Sequence, residues 1–406
     1  MADWHEEVQV SAQALDDVRV IELAEGTAGP YAGKLFADYG ADVVKIEKPG
    51  KGDVSRRKGP FPGDVPDTEQ SLQFLFLNTN KRSITLDIRK TAGMDILRKM
   101  VIDADILILD ILPADIESLG LNYEVMSRLN PRLVMVSITP FGHTGPYRDW
   151  KSTDLVQYAI SSFMNLSGSP DREPLQHALG QAGFMAARNA VVAAMGALLY
   201  ERSTGEGQFI DVSIVESIGV QPPFQPTQYS YTGVIATRGH EPTLDGAYVR
   251  CKGGSYICMT TTGGAPFEDF ADLLGLPELL DPKFATAQGR TEHKAELDEI
   301  VCRRLNDVDP LELFHNAQKR RFVFGVSQTP KDILDCPQMR ARDFFQTIDH
   351  PIVGPLKYPG GPFKMSETPA HLTRPAPVLG QHTHEILSGL GYDRNSLLRL
   401  TEMEVI

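Results

Sequence analysis

Seven cations, Lys48, Lys51, Arg56, Arg57, Lys81, Arg82 and Arg89, follow apolar runs in "KIEKPGKGD", "SRRKG" and "NKRSITLDIRK". Ammonium and guanidinium groups gathered near strand ends can pair with phosphate oxygens; solvated loop charges are the alternative. The turn "EGTAGPYAG", Glu25 to Gly33, sits between an apolar strand and a helix. Open α/β sheets place ligands there, because free backbone N–H groups at the helix start favour anions, although a tight turn without a ligand reads the same. The turn is not GxGxxG, and no acidic residue ends the second strand in the dinucleotide manner, since Glu47 is followed by Lys48. A nicotinamide cofactor is therefore not expected.

The elements that would position these groups are read from hydrophobic period. "VRVIELA", "EGTAGP", "YAGKLFADYG" and "ADVVKIEKPG" make strand, turn, helix and strand, a βαβ unit with a parallel pair. The pattern returns through "RSITLDI", "TAGMDILRKMVIDA", "DILILDIL", "YEVMSRLN" and "RLVMVSI", which predicts an open α/β sheet. A long helix is expected from about Ala182 to Arg202, and "GQFIDVSIVES" as a strand turning into a helix. The expected organisation is a large domain over 1–221, a Pro/Gln/Tyr-rich linker over 222–238 and a small α+β domain over 239–330. A second linker over 331–377 and a return to the large domain over 378–406 complete it.

Composition narrows the function classes. Across 406 residues there are 40 basic and 53 acidic residues, a formal net charge of −13, which disfavours a broad nucleic-acid surface. No run of eighteen apolar residues and no basic-then-apolar N-terminus is present, so a cytoplasmic protein without a membrane span is expected. Cys251, Cys258, Cys302 and Cys336 show neither CxxC nor Cys/His ligand spacing, so no metal is expected and the thiols read as structural.

The segments "VIELAEGTAGPYAGKLFADYGADVVKIEKPGKGD", "NKRSITLDI", "LNPRLVMVSITPFGHTGPY", "RSTGEGQFIDVS" and "PAPVLGQHTHEIL" resemble the family III CoA-transferases, in order and from about Val18 to Leu390. That group includes formyl-CoA transferase, carnitine CoA-transferase and α-methylacyl-CoA racemase. The resemblance implies a Rossmann-like large domain, a small domain and two subunits threaded through each other as an interlocked dimer. Its implied chemistry moves CoA from a thioester to a carboxylic acid through an aspartyl anhydride and an aspartyl-CoA thioester. It also implies that Thr27 and Ala28 line the CoA channel, Lys48 and Arg89 meet phosphates, and Leu86 borders the adenine.

Two departures from the family pattern bear on function. Where the family often reads "ENFRPG", this chain has "LDILPA", Leu109 to Ala114, with Asp110 for the Asn and Leu112 for the Arg. Counting back from "TGEGQ", the nucleophilic Asp should fall within Gly180, Gln181, Ala182 and Gly183, none of which carries a carboxylate. Asp171 and Glu173 precede that stretch on an expected surface loop, Asp154 matches a structural Asp of the family, and His177 reads as a loop or cleft histidine. A racemase would need a His where Thr153 stands and a later Asp, and has neither.

The expected function is a CoA-transferase subunit whose nucleophilic Asp comes from a paralogous partner, as in the succinyl-CoA-dependent benzylsuccinate CoA-transferases. Its substrates would be an acyl-CoA and a small, dicarboxylic acid. The alternative is a stand-alone acyl-CoA-binding pseudoenzyme. Candidate acyl-cavity residues are "SSFMNLSGS", Phe224, Tyr229 and Tyr231, which could equally pack a dimer.

Overall fold

In the computed structural model, the structure describes residues 13–221, 224–238, 247–260 and 265–406. The chain divides into two compact units. The larger takes the chain up to Leu166, Leu175–Ala236 and Asp343–Ile406, and the smaller takes Ser167–Pro174 and Thr237–Arg342.

The larger unit is built on β1 (Arg19–Leu23), β2 (Asp42–Glu47), β3 (Arg82–Thr85), β4 (Ile106–Leu109), β5 (Val134–Thr139) and β6 (Phe209–Ser213). They form a parallel sheet in the order β3-β2-β1-β4-β5-β6, with the chain reversing direction of travel between β1 and β4. Both faces are buried, which explains the unbroken apolar runs. Ile106 and Ile108 of β4 point into one core layer, Leu107 and Leu109 into the other.

The helices of this unit are α1 (Ala28–Asp38), α2 (Leu72–Leu77), α3 (Thr91–Ile102), α4 (Pro113–Leu119), α5 (Tyr123–Leu129), α6 (Asp154–Ile160), α7 (Gln181–Thr204), α8 (Ile214–Gly219) and α9 (Phe224–Thr232). One core layer packs α1 and α7 on the sheet, with alanines 182, 186, 190, 194 and 197 of α7 buried. Small side chains at that spacing let α7 lie close to α1. By length and hydropathy α7 could cross a membrane, but its alanine face is core packing in this fold. The other layer packs α3 and α5.

The smaller unit holds β7 (Ala247–Arg250), β8 (Tyr256–Thr260) and β9 (Val323–Val326) as an antiparallel sheet. Its helices are α10 (Phe267–Leu274), α11 (Ala287–Glu292), α12 (Lys294–Leu305), α13 (Pro310–Lys319), α14 (Pro330–Asp335) and α15 (Pro337–Ala341), around a core that includes Phe270, Phe284, Phe322 and Phe324. The chain then returns to the larger unit with the hairpin β10 (Phe345–His350) and β11 (Gly354–Pro359), and with α16 (Thr383–Gly389) and α17 (Arg394–Glu402). Leu387, Leu397 and Leu400 of these last helices complete the second core layer.

Several elements differ from the sequence expectation. Phe224–Thr232, read as extended linker, is the helix α9, and the second expected linker holds most of α14, all of α15 and the hairpin over 345–359. The stretch "RTEHKAELDEIVCRRL" is divided between two helices at His293, which ends α11 and precedes α12. Residues 222 and 223 of the first linker, and 239–246 and 261–264 of the small module, lie outside the described residues.

Candidate functional site

Most of the charged groups at the centre of the sheet are spoken for. Lys45 on β2 is fully buried, donating to Glu22 Oε1 and Ala24 O at 2.8 Å each and pairing with Asp53 at 2.7 Å. Lys81 pairs with the other oxygen of Glu22 at 2.7 Å and also donates to Pro30 O and Asn78. Gly33 is required beside this cluster: a Cβ there would stand 1.9 Å from Glu22 Oε2. Burial acts to raise the Asp53 pKa, but Lys45 and the N–H groups of Gly26 and Ser55 hold it down to about 2.

Arg56 is equally committed. It is fully buried, grips Glu47 with Nε and Nη2 at 2.7 and 2.8 Å, and stacks 3.6 Å over Phe74. Glu47 does end β2, contrary to the sequence expectation, but Arg56 and Ser83 occupy its carboxylate. Arg82 lies at the start of β3, not near the carboxyl edge, and pairs with Asp42 at 2.5 Å and Glu385 at 3.0 Å. Of the seven cations that the sequence offered for a phosphate pocket, four are therefore held by other groups of the protein. Arg56 is held by Glu47 and Glu69, Lys81 and Arg82 have carboxylate partners from distant parts of the chain, and Arg57 donates to Lys51 O.

What remains is a cleft of about 1240 Å³ along the carboxyl edge of β1 to β4. Lys48, Lys51 and Arg89 line it, with Leu86 as a buried apolar wall. Lys48 carries a 2.7 Å ion pair to Glu25 on a half-exposed side chain. Lys90 instead donates to the carbonyls of Met403 and Glu404 and anchors the C-terminal turn, which closes one side of the cleft through Glu404 and Ile406. Asp110 lines the same cleft and accepts from Glu25 N at 2.8 Å. Leu112 caps α4 without a side-chain hydrogen bond. The cleft thus brings together Lys48, Leu86 and Arg89; Thr27 and Ala28 are not among its walls.

Thr27 and Ala28 meet a different feature, the start of α7. Thr27 Oγ1 accepts from Gln73 at 3.1 Å, and a Cβ on Gly183 would sit 3.1 Å from Thr27 Cγ2 and 3.4 Å from Ala28 N. Gly183, in the first turn of α7, therefore packs directly against the N-terminus of α1. Gly180 is left-handed (φ 66°) with open space around it. Asp154, first residue of α6, accepts from Ala182 N at 3.1 Å and so caps α7. Burial raises the Asp154 pKa against the Ala182 N–H and His177. His177 packs edge-on against Phe163 at 4.6 Å. Asp171 and Glu173 are exposed on Ser167–Pro174, which belongs to the smaller unit. Among the described residues no group of three or more His, Cys, Asp or Glu could hold a metal ion.

An open parallel sheet with a cleft at its carboxyl-edge switch point, and a helix start packed on the first βα turn, is the setting of a family match that spans most of the chain. The model of CoA-transferase family III covers residues 15–383, and the chain belongs to that family. It is 32% identical over 407 residues (97% of this chain, 98% of the relative) to the succinyl-CoA–D-citramalate CoA-transferase of Chloroflexus aurantiacus. It is 33% identical over 401 residues (94% and 96%) to the succinyl-CoA:(R)-benzylsuccinate CoA-transferase subunit BbsE of Thauera aromatica. A CaiB/BaiF family protein from Brucella suis superposes with a TM-score of 0.84 at 30% identity, covering 94% of this chain and all of that one.

Proposed function

We propose that this chain is the CoA-binding, non-nucleophilic subunit of a CoA-transferase that moves CoA from an acyl-CoA to a small dicarboxylic acid. A paralogous partner supplies the nucleophilic Asp. The observation that carries this reading is the start of α7: it packs on Thr27 and Ala28 as a reaction site beside a CoA channel would, yet Gly180, Gln181, Ala182 and Gly183 bring no carboxylate to it. Asp154, whose carboxyl does reach that helix start, is held there as its cap. The Thauera relative is named as a subunit, and the two curated relatives above are both named for succinyl-CoA, which supports a dicarboxylic substrate class and a heteromer.

The surface supports a partner subunit as well. Val192 and Leu199 on α7 and Phe224 and Tyr231 on α9 are 65–89% exposed. A helix with apolar residues on both its packed and its open faces is built to be covered on both. The interlocked dimer of the family provides that cover, and the mass of the protein in solution, expected at two subunits or more, checks it.

In the cleft, Lys48 and Arg89 would meet the phosphates of CoA and Leu86 its adenine. Lys48→Ala and Arg89→Ala should each weaken CoA binding in calorimetry by about 1.5–3 kcal/mol, more than tenfold, the contribution of one charge-assisted contact. Unchanged affinity in both variants would remove this cleft as the CoA site. The subunit reading itself is tested by assaying the chain alone and in complex with an Asp-bearing relative.

A further inference from the structure

Asp110 follows β4 at the carboxyl edge of the sheet, between the β1–α1 turn and the first turn of α4. Its Oδ2 accepts from Glu25 N at 2.8 Å and ties down the turn that opens α1. The residue is half-buried and lines the cleft together with Lys48. Leu112, two residues on, adds no charge, and Lys48 is already paired with Glu25 at 2.7 Å. A phosphate entering this end of the cleft therefore meets two carboxyl groups and one ammonium that has a partner. Ionised, Asp110 would repel it; neutral, it would donate a hydrogen bond to it.

Resting on the reading that the cleft takes CoA, we propose that Asp110 is the specificity-determining residue of its anion subsite and admits the pyrophosphate only as a neutral carboxylic acid. Binding then takes up one proton from solvent wherever free Asp110 is ionised. The proton resides on the oxygen not used by Glu25 N and is donated to a phosphate oxygen, while Oδ2 keeps accepting from the turn.

The surroundings favour the neutral form. Burial pushes the Asp110 carboxyl up to about 8; the Glu25 N–H opposes this, Asp53 adds repulsion, Lys45 opposes, and Glu25 repels. The other charged groups lining the cleft are Glu47, Lys48 and Lys51 at and after the end of β2, Asp87, Arg89 and Lys90 after β3, Asp115 on α4 and Glu404 in the C-terminal turn. The free site is thus ready for an anion below pH 8, and affinity falls as pH rises through that value, approaching tenfold per unit until the higher pKa of the bound form is passed.

The test is calorimetry of the full chain with 3′-phosphoadenosine 5′-diphosphate, the nucleotide half of CoA, which has no thiol to titrate. It is run from pH 7 to 9.5 in buffers of differing ionisation heat. Wild type should bind about eightfold more weakly at pH 9.5 than at 8.5 and take up about one proton per site at pH 9. Asp110→Asn should show neither effect and should bind more tightly than wild type at pH 9. Parallel pH profiles for the two proteins, or no proton uptake by wild type, would reject the role of Asp110 and leave the CoA cleft standing. Absence of binding by both proteins at millimolar nucleotide would reject the cleft and this inference together. If Asp110→Asn does not fold, the proton count of the wild type alone decides.

Discussion

Alone, this chain should give no CoA transfer, and co-purified with an Asp-bearing paralogue it should give transfer that vanishes when the partner's nucleophilic Asp is replaced. The loss should be on the order of 10⁴-fold or more, because the covalent intermediate has no substitute group to form on and a neutral residue cannot take its place. Arg89→Ala in this chain should leave the partner's Asp in place and act on substrate affinity, raising KM more than it lowers kcat. Steady-state assays of the isolated complex with succinyl-CoA and a panel of small diacids make both measurements. A homodimer of this chain with full activity would end the subunit reading.

Replacing Lys45 with Met should cost about 3–5 kcal/mol of stability, a large part of what a domain of ordinary stability possesses. The mutation removes one buried ammonium and leaves the Asp53 carboxylate and the Ala24 carbonyl without their closest cation. Glu22 keeps Lys81 at 2.7 Å, which is why the cost falls on Asp53. The pH dependence distinguishes this from simple loss of packing. The folded pKa of Asp53 is held near 2, below the unfolded value of about 3.9, so wild type keeps this contribution above pH 4 and loses it as pH falls toward 2. In Lys45→Met that acid-side loss should shrink, because the contribution is already gone at neutral pH. Urea unfolding of the two proteins between pH 3 and 7 reads both the offset and its convergence.

The sheet was visible in the sequence because its strands are covered on both faces. Val134, Val136 and Ile138 on one side of β5 and Met135 on the other leave a continuous apolar run that period alone assigns. The extent of α7 was visible for a similar reason, with Gly205 ending it in the left-handed conformation. The phosphate cluster was not. "SRRKG" and "NKRSIT" look like solvent-facing charge, and nothing local shows that Arg56 lies over Phe74 or that Lys81 reaches Glu22, 59 positions earlier. The helix α9 escaped because Pro, Gln and Tyr carry no hydrophobic period, and its exposed Phe224 and Tyr231 give it no packed face among the described residues. Asp110 stood out in the sequence as an added anion, but its bond to Glu25 N, and hence its hold on the α1 turn, needed the β1–β4 pairing to be seen.

Whether this chain holds CoA without supplying the nucleophile is tested most directly by the intact mass of the purified chain after incubation with succinyl-CoA. The mass should be unchanged, with bound CoA lost on denaturation. A CoA-sized increase that survives denaturation and is removed by hydroxylamine would contradict it, and mapping that adduct to Asp154, Asp171 or Glu173 would identify the carboxylate that replaces the missing Asp.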